Sequence, residues 1–420
     1  MLRLLLFLLL SSQIVLGQNI LKSAQKCLTN SLMEQIWQRD PQLKKLYLAE
    51  KEKPLTPLKI SKTNEIKYII PVVVHIMHDN GVENISDEQV KSQIEVLNED
   101  FGKYNYGNNN DPVGTDTRIR FCLASYDENG DTTNGINRVE YSKTGTFNVD
   151  DDELTMKSLI QWDPDKYLNI WAVKKINDGT ILGYAYFPSG EAGSTKDGLV
   201  IRSDFFGRKG SANSLNIFSA GRTTTHEVGH YLNLEHPWGD FEGGDCFDDD
   251  GIDDTPKCKY PYYDTIFPDC YSPYQCNFDR MVENYMEYSD DSCMSIFTAQ
   301  QAVKMQNAII KYRSELVSVE NLEATGCNSC TSCDTTNYDN KVHIYPNPAT
   351  NNLAVYFDYK EVKTLTINLY DMAGRVIYSD FKEEIKSGPI FIDVSKFRSG
   401  LYILKINSQQ ENEEYKVLVQ

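Results

Sequence analysis

The chain's 420 residues exceed what one ordinary core accommodates and suit two or three domains. Apolar residues make up 40% and charged residues 24%, so most of the chain is expected to fold. The balance of 42 Lys+Arg against 60 Asp+Glu, a formal charge of −18, argues against nucleic-acid binding and against docking on anionic lipid, while acidic oxygens suit hard cations.

Residues 1–17 carry Arg3, then LLLFLLL, and end in Val15-Leu16-Gly17. A basic start, a short apolar core and a small residue at the end read as a cleaved signal peptide. That core falls short of the ~20 residues needed to span a bilayer, so no transmembrane anchor is expected in the mature protein. The ten cysteines then face an oxidising compartment, where disulfides are expected.

Residues 18–63 hold nine Lys+Arg and four Asp+Glu, whereas 341–420 hold ten of each, which leaves −24 for 64–340. The basic segment 18–63 reads as a short helical element, with Leu32, Ile36, Leu43, Leu46 and Leu48 among charges, followed by the Pro-broken linker KEKPLTPLK. Around Tyr68 the pattern becomes a buried strand, YIIPVVVHIM. Ser86 ahead of Asp87-Glu88, with Val90, Ile94 and Leu97, announces a capped helix. Further strands are expected at 117–124, 167–174 and 198–203. Helices and strands without strict βαβ alternation make 64–318 an α/β (α+β) domain. Residues 319–340 form a linker with Cys327, Cys330 and Cys333, which resemble half a zinc ribbon; no second half follows, so linker disulfides are expected. From 341 to 420, short strands and regular turns predict a small all-β, immunoglobulin-like sandwich.

The stretch THEVGHYLNLEH, residues 225–236, contains three of the chain's six histidines. On a helix His226 and His230 share a face and can reach one ion, with Glu227 beside them as a base for a water. His236 joins them only if the chain turns sharply near 232–234. Three nitrogens with an open position are the catalytic zinc arrangement; a structural site would close with a fourth ligand. Eight acids and no base between Asp240 and Asp254 repel one another unless a cation relieves them, which favours calcium over a merely solvated loop.

HEVGHYLNLEH, NYMEYSDDSCMSIFTAQQ, LNIWAV and GTILGYAYFP together resemble the metzincin metalloproteases, and within them the pappalysin family, across about 65–305. The resemblance implies a metzincin-like fold and zinc on His226, His230 and His236. It makes Glu227 general base and acid, Met286 the Met-turn residue and Tyr288 the tyrosine that assists at the oxyanion. The family's turn glycine is Asn233 here, a residue that tolerates positive φ better than others without a glycine's freedom. Relatives bind calcium around an acidic D-T-P element, which designates Asp250, Asp253, Asp254 and Thr255. Disulfides Cys246–Cys276 and Cys270–Cys293 are implied, leaving Cys258 to pair elsewhere, with Cys122 as the candidate partner. Cys27, alone in the basic segment, corresponds to a propeptide cysteine that blocks the metal, although here no glycine adjoins it. The ending resembles a type IX secretion sorting domain through IYPNPATNNL, LYDMAGRVIY and FRSGLYILKI. The reading is therefore a secreted zinc endopeptidase acting on proteins or peptides, made as a latent precursor with propeptide 18–63 and exported to the cell surface or beyond by the secretion machinery. Asp290 and Asp291 near the Met-turn favour Arg or Lys beside the scissile bond. The rival reading is a catalytically inactive surface adhesion protein.

Overall fold

The computed structural model describes residues 26–53, 55, 68–103, 113–212, 218–239, 246–261, 270, 272–330, 341–345, 349, 352–408 and 412–419. The signal peptide expected at 1–17 lies outside them. The described residues fall into two compact units, one up to Cys330 and one from Lys341.

The first unit opens with two helices where one was expected: α1 (Thr29–Arg39) and α2 (Pro41–Lys51). Pro41 cannot continue a helix from α1 but fits the first turn of the next, and the Asp40 carboxylate accepts from the N–H groups of Gln42 and Leu43. Of the apolar residues expected there, Leu32 is buried and Ile36 and Leu43 pack against the same core, while Leu46 and Leu48 are exposed; Trp37 and Tyr47 are buried as well.

A six-stranded sheet follows, built from β1 (Tyr68–His78), β2 (Ile119–Leu123), β3 (Ile136–Glu140), β4 (Leu168–Val173), β5 (Gly183–Ala185) and β6 (Leu199–Arg202). Its order is β2-β1-β4-β6-β5, and β1 is long enough for β3 to pair beyond β2. All pairs are parallel except β5, which runs antiparallel to β6 and forms the edge. Parallel strands are covered on both faces, which is why VVV and LNIWAV read as continuous apolar runs. One face packs α3 (Asp87–Gly102), N-capped by Ser86, and beside it α5 (Arg222–Tyr231), which lies against β5 and β6 and against α3. The sequence missed α4 (Val149–Leu159), capped by Asn148, and α6 (Ala299–Tyr312), which starts in a Thr298/Gln301 capping box.

Residues 319–327, read as linker, form α7 (Val319–Ala324) and are tied to β2 by a Cys122–Cys327 disulfide. This corrects the pairing of Cys258 with Cys122: Cys258 is a free, buried thiol beside Glu287, and burial pushes its ionisation well up. Cys330 is also disulfide-bonded.

The strands described in the second unit, at 341–345, 352–371, 376–393, 400–407 and 412–419, pair antiparallel with one another, and Ala349 adds a parallel bridge to Val419. Alternate residues Leu353, Val355 and Phe357, then Leu365, Ile367 and Leu369, face one core, as strand periodicity requires.

Candidate active site

Every residue of α5 is buried, between the sheet and the loop after Met281. A side chain on Gly229 would strike Met286 Sδ, so this helix face must be bare for the methionine to pass beneath it. The helix stops at Tyr231. Asn233 takes φ 73°, its N–H donates to His230 O at 2.8 Å, and Leu234 N–H donates to Gly229 O at 2.9 Å. That turn brings His236 back to the helix.

The three imidazole Nε2 atoms of His226, His230 and His236 then stand 3.1 Å from one another. His226 Nδ1 donates to Tyr285 O at 2.8 Å and His230 Nδ1 to Leu234 O at 2.7 Å, which leaves the Nε2 lone pairs turned inward. Burial lowers the pKa of all three rings, that of His230 to about 4, so they are neutral. Three converging lone pairs repel unless a cation lies among them. Zinc–nitrogen bonds of 2.0–2.1 Å in tetrahedral geometry separate the nitrogens by roughly 3.3 Å, so the set fits zinc. Trp238 stacks on His236 at 4.4 Å, and Tyr288 stands edge-on to it at 5.2 Å.

Cys27 completes the set: its Sγ and the three histidine nitrogens lie within 4.8 Å of one another. The thiol also donates to Glu227 Oε2 at 3.3 Å. Residues 26–28 lie along β5, with Leu182 N–H donating to Lys26 O and Leu28 N–H to Gly183 O. A Cβ on Gly183 would sit 2.8 Å from Ile201 Cδ1 and 3.0 Å from Glu227 Cγ, so a side chain there would crowd the base. The Thr29 hydroxyl accepts from Ala185 N–H, donates to Ala185 O at 2.9 Å, and stands 3.3 Å from Glu227 Oε2. Tyr288 donates its hydroxyl to the Cys27 carbonyl at 3.4 Å. Burial raises Glu227 to about 8, against the hydrogen bonds of Cys27 and Thr29 and the charge of Lys26.

Lys26 is buried over the Phe218 ring with its ammonium 4.0 Å from Asp291 Oδ1. Burial lowers Lys26 and raises Asp291, while their attraction opposes both shifts. Asp291 Oδ2 accepts from the N–H groups of Ala220 and Arg222, which fixes it at the start of α5. Asp290 adds charge near Lys26.

Cys246–Cys276 and Cys270–Cys293 are both bridged. Of the calcium candidates, Asp250 and Thr255 meet, the Thr255 hydroxyl lying 2.7 Å from Asp250 Oδ1, and burial raises the Asp250 carboxyl to about 7. Asp254 instead accepts from Thr298 and Gln300 at the start of α6. Asp253 is brought to Gln300 by its backbone N–H.

The sequence reading missed Thr29, Gly183 and the pair Asp100–Tyr285. No spacing betrays the first two, whose roles depend on a segment about 155–200 residues away in sequence. Asp100 accepts from Thr225 Oγ1 at 2.7 Å and Tyr285 OH at 2.8 Å, bracing the carbonyl that orients His226.

A buried histidine triad with the spacing of a zinc site, over Met286 and on a helix flanking a sheet with one antiparallel edge strand, defines a metzincin-type metalloendopeptidase. Residues 148–310 match the family model described as pregnancy-associated plasma protein-A, and 343–420 match the secretion system C-terminal sorting domain. An extracellular metalloprotease of Arthroderma benhamiae is 30% identical over 257 residues, covering 60% of this chain and 76% of that one. One of Colletotrichum graminicola is 32% identical over 254 residues, covering 58% and 77%. Mature mirolysin of Tannerella forsythia, solved with a cleaved peptide, is 39% identical, covering 61% of this chain and 98% of that one with a TM-score of 0.54. A promirolysin mutant from the same organism is 35% identical, covering 72% and 99% with a TM-score of 0.58. The chain belongs to the pappalysin family of metalloendopeptidases and carries a type IX sorting module, which marks it for export.

Proposed function

We propose that the chain is the latent precursor of a secreted zinc endopeptidase, with signal peptide 1–17, propeptide 18–63, catalytic domain 64–318, linker 319–340 and sorting domain 341–420. One observation carries it: the basic segment delivers Cys27 Sγ to the three histidine nitrogens and to Glu227 at once. Cys27 would then be the fourth residue to hold the zinc, and Thr29 covers the base. His226, His230 and His236 would hold the zinc, which would supply the Lewis acidity to polarise a scissile carbonyl and acidify a water. Glu227 Oε2, covered here by Cys27 and Thr29, accepts the water's proton and returns it to the departing amine nitrogen. Tyr288, which donates to the Cys27 carbonyl in the precursor, donates to the scissile carbonyl oxygen as its charge develops. Lys26 reaching Asp291 supports a pocket for Arg or Lys beside the scissile bond, since a side chain of that charge already fills it.

The test is casein cleavage by the full chain. It is expected to need zinc, to vanish in Glu227→Ala and to begin prematurely in Cys27→Ala. Retained cleavage in the first variant, or unchanged latency in the second, overturns the corresponding role. A peptide library cut without any Lys or Arg preference ends the specificity reading.

Calcium in the 246–255 loop is the second part of the proposal, supported by the buried Asp250 carboxylate, which a cation would relieve. Calcium is expected to raise the melting temperature by a few degrees, and Asp250→Asn to cancel that rise. An equal rise in the variant would count against it.

A further inference from the structure

Past Thr29 the basic segment folds its aromatic side chains over one spot beside the metal triad. The Tyr47 ring stacks on Phe187 at 5.5 Å and 5°, and Trp37 packs 4.9 Å from Tyr47 and 6.5 Å from Phe187. Phe187 itself lies edge-on to His230 at 5.7 Å. Leu43 closes the neighbouring gap above Gly190, where a Cβ would meet its Cδ2 at 2.7 Å. Trp37 and Tyr47 are 3% and 4% exposed, so a segment that otherwise carries much charge buries both rings at this place.

We propose that Phe187 floors a substrate subsite for an aromatic or large aliphatic side chain, across the scissile bond from the basic residue held by Asp291. The proposal rests on the peptidase reading above and adds to it a second specificity determinant. Its position follows from the order of contacts along β5. Lys26 pairs at Leu182, Cys27 at Gly183 and Thr29 at Ala185, with Phe187 two residues further on. The triad stands at Cys27, the Asp291 pocket is reached from the Leu182 end, and Phe187 marks the other end. A polypeptide on this edge strand with its scissile carbonyl where Cys27 now lies presents side chains to both.

Release of the segment uncovers an apolar ring beside the reacting centre, the kind of surface that marks a ligand site rather than ordinary solvent-facing area. The rings that occupy it in the precursor define what fits. Stacking on Phe187 rewards a flat aromatic group, and a leucine-sized group recovers much of the same apolar contact.

The experiment digests an unbiased peptide library with the zinc-loaded protein matured by removal of the basic segment, and reads the cut sites by mass spectrometry. Phe, Tyr, Trp or Leu is expected to be enriched roughly tenfold at one of the three positions across the scissile bond from Lys or Arg. Phe187→Ala should erase that enrichment and leave the Lys/Arg preference. Phe187→Leu, which preserves an apolar filling and so protects the fold, should shift it from aromatic to aliphatic residues. A wild-type profile without apolar enrichment there, or one unchanged in both variants, overturns the subsite while the peptidase reading stands. Failure of the wild type to cut any peptide overturns both.

Discussion

Asn233 occupies the one position in the metal-binding stretch where a backbone, not a side chain, decides whether a third ligand arrives. Its φ of 73° lets the chain leave α5 and return His236 to the triad. Glycine reaches that conformation without cost and asparagine with little, whereas a β-branched residue resists it. Asn233→Gly is therefore expected to keep zinc affinity and activity. Asn233→Val should lose about 1–2 kcal/mol of stability and bind zinc more weakly, as read by melting curves with and without metal. The histidines, Glu227 and the need for this turn were legible because a helix repeats every three to four residues and one short window held all of them. Lys26 and Thr29 were not, because each acts on β5 or Asp291 through contacts whose partners are remote in the chain.

At the scale of elements, the support of the triad lies in how α3, α5 and the Met-turn are tied together. Asp100 of α3 accepts from Thr225 of α5 and from the Tyr285 hydroxyl, while the Tyr285 carbonyl accepts from His226 Nδ1. Arg222 Nη2, 3.4 Å from Asp100 Oδ1, balances the buried charge. Tyr285→Phe removes one bond of this brace without touching the carbonyl. Such outer partners commonly govern metal affinity by 10–100-fold, so zinc binding is expected to weaken about tenfold, measured by competition with a chelator. An unchanged affinity would show that packing alone orients His226. Strands β1, β4 and β6 and the capped α3 could be read directly, since buried parallel strands are uniformly apolar and Ser86 caps plainly. The three-residue edge strand β5 is too short to carry a period of its own, and α4 begins with three acids that mask its apolar face. The split between α1 and α2 was present in the sequence as Asp40-Pro41, a cap and a first-turn proline.

For the whole molecule, charge is divided unevenly along the chain, +5 in 18–63, −24 in 64–340 and zero in 341–420. The basic segment meets the acidic unit through pairs such as Lys51–Glu235 at 2.6 Å and the buried Lys26–Asp291. The C-terminal module, by contrast, holds ten charges of each sign and pairs its strands among themselves around Leu353, Val355, Ile367, Leu404 and Val417. A module with its own ladder and core, matching a sorting domain over 343–420, carries an address. Ending the chain at residue 340 is therefore expected to leave zinc-dependent casein cleavage and the melting temperature of the first unit unchanged while the protein stays inside the outer membrane. Cell fractionation with activity assays on each fraction measures both halves of that statement. Activity lost together with export would mean that the sorting module also stabilises the enzyme, and secretion of the shortened chain would mean that the address lies elsewhere.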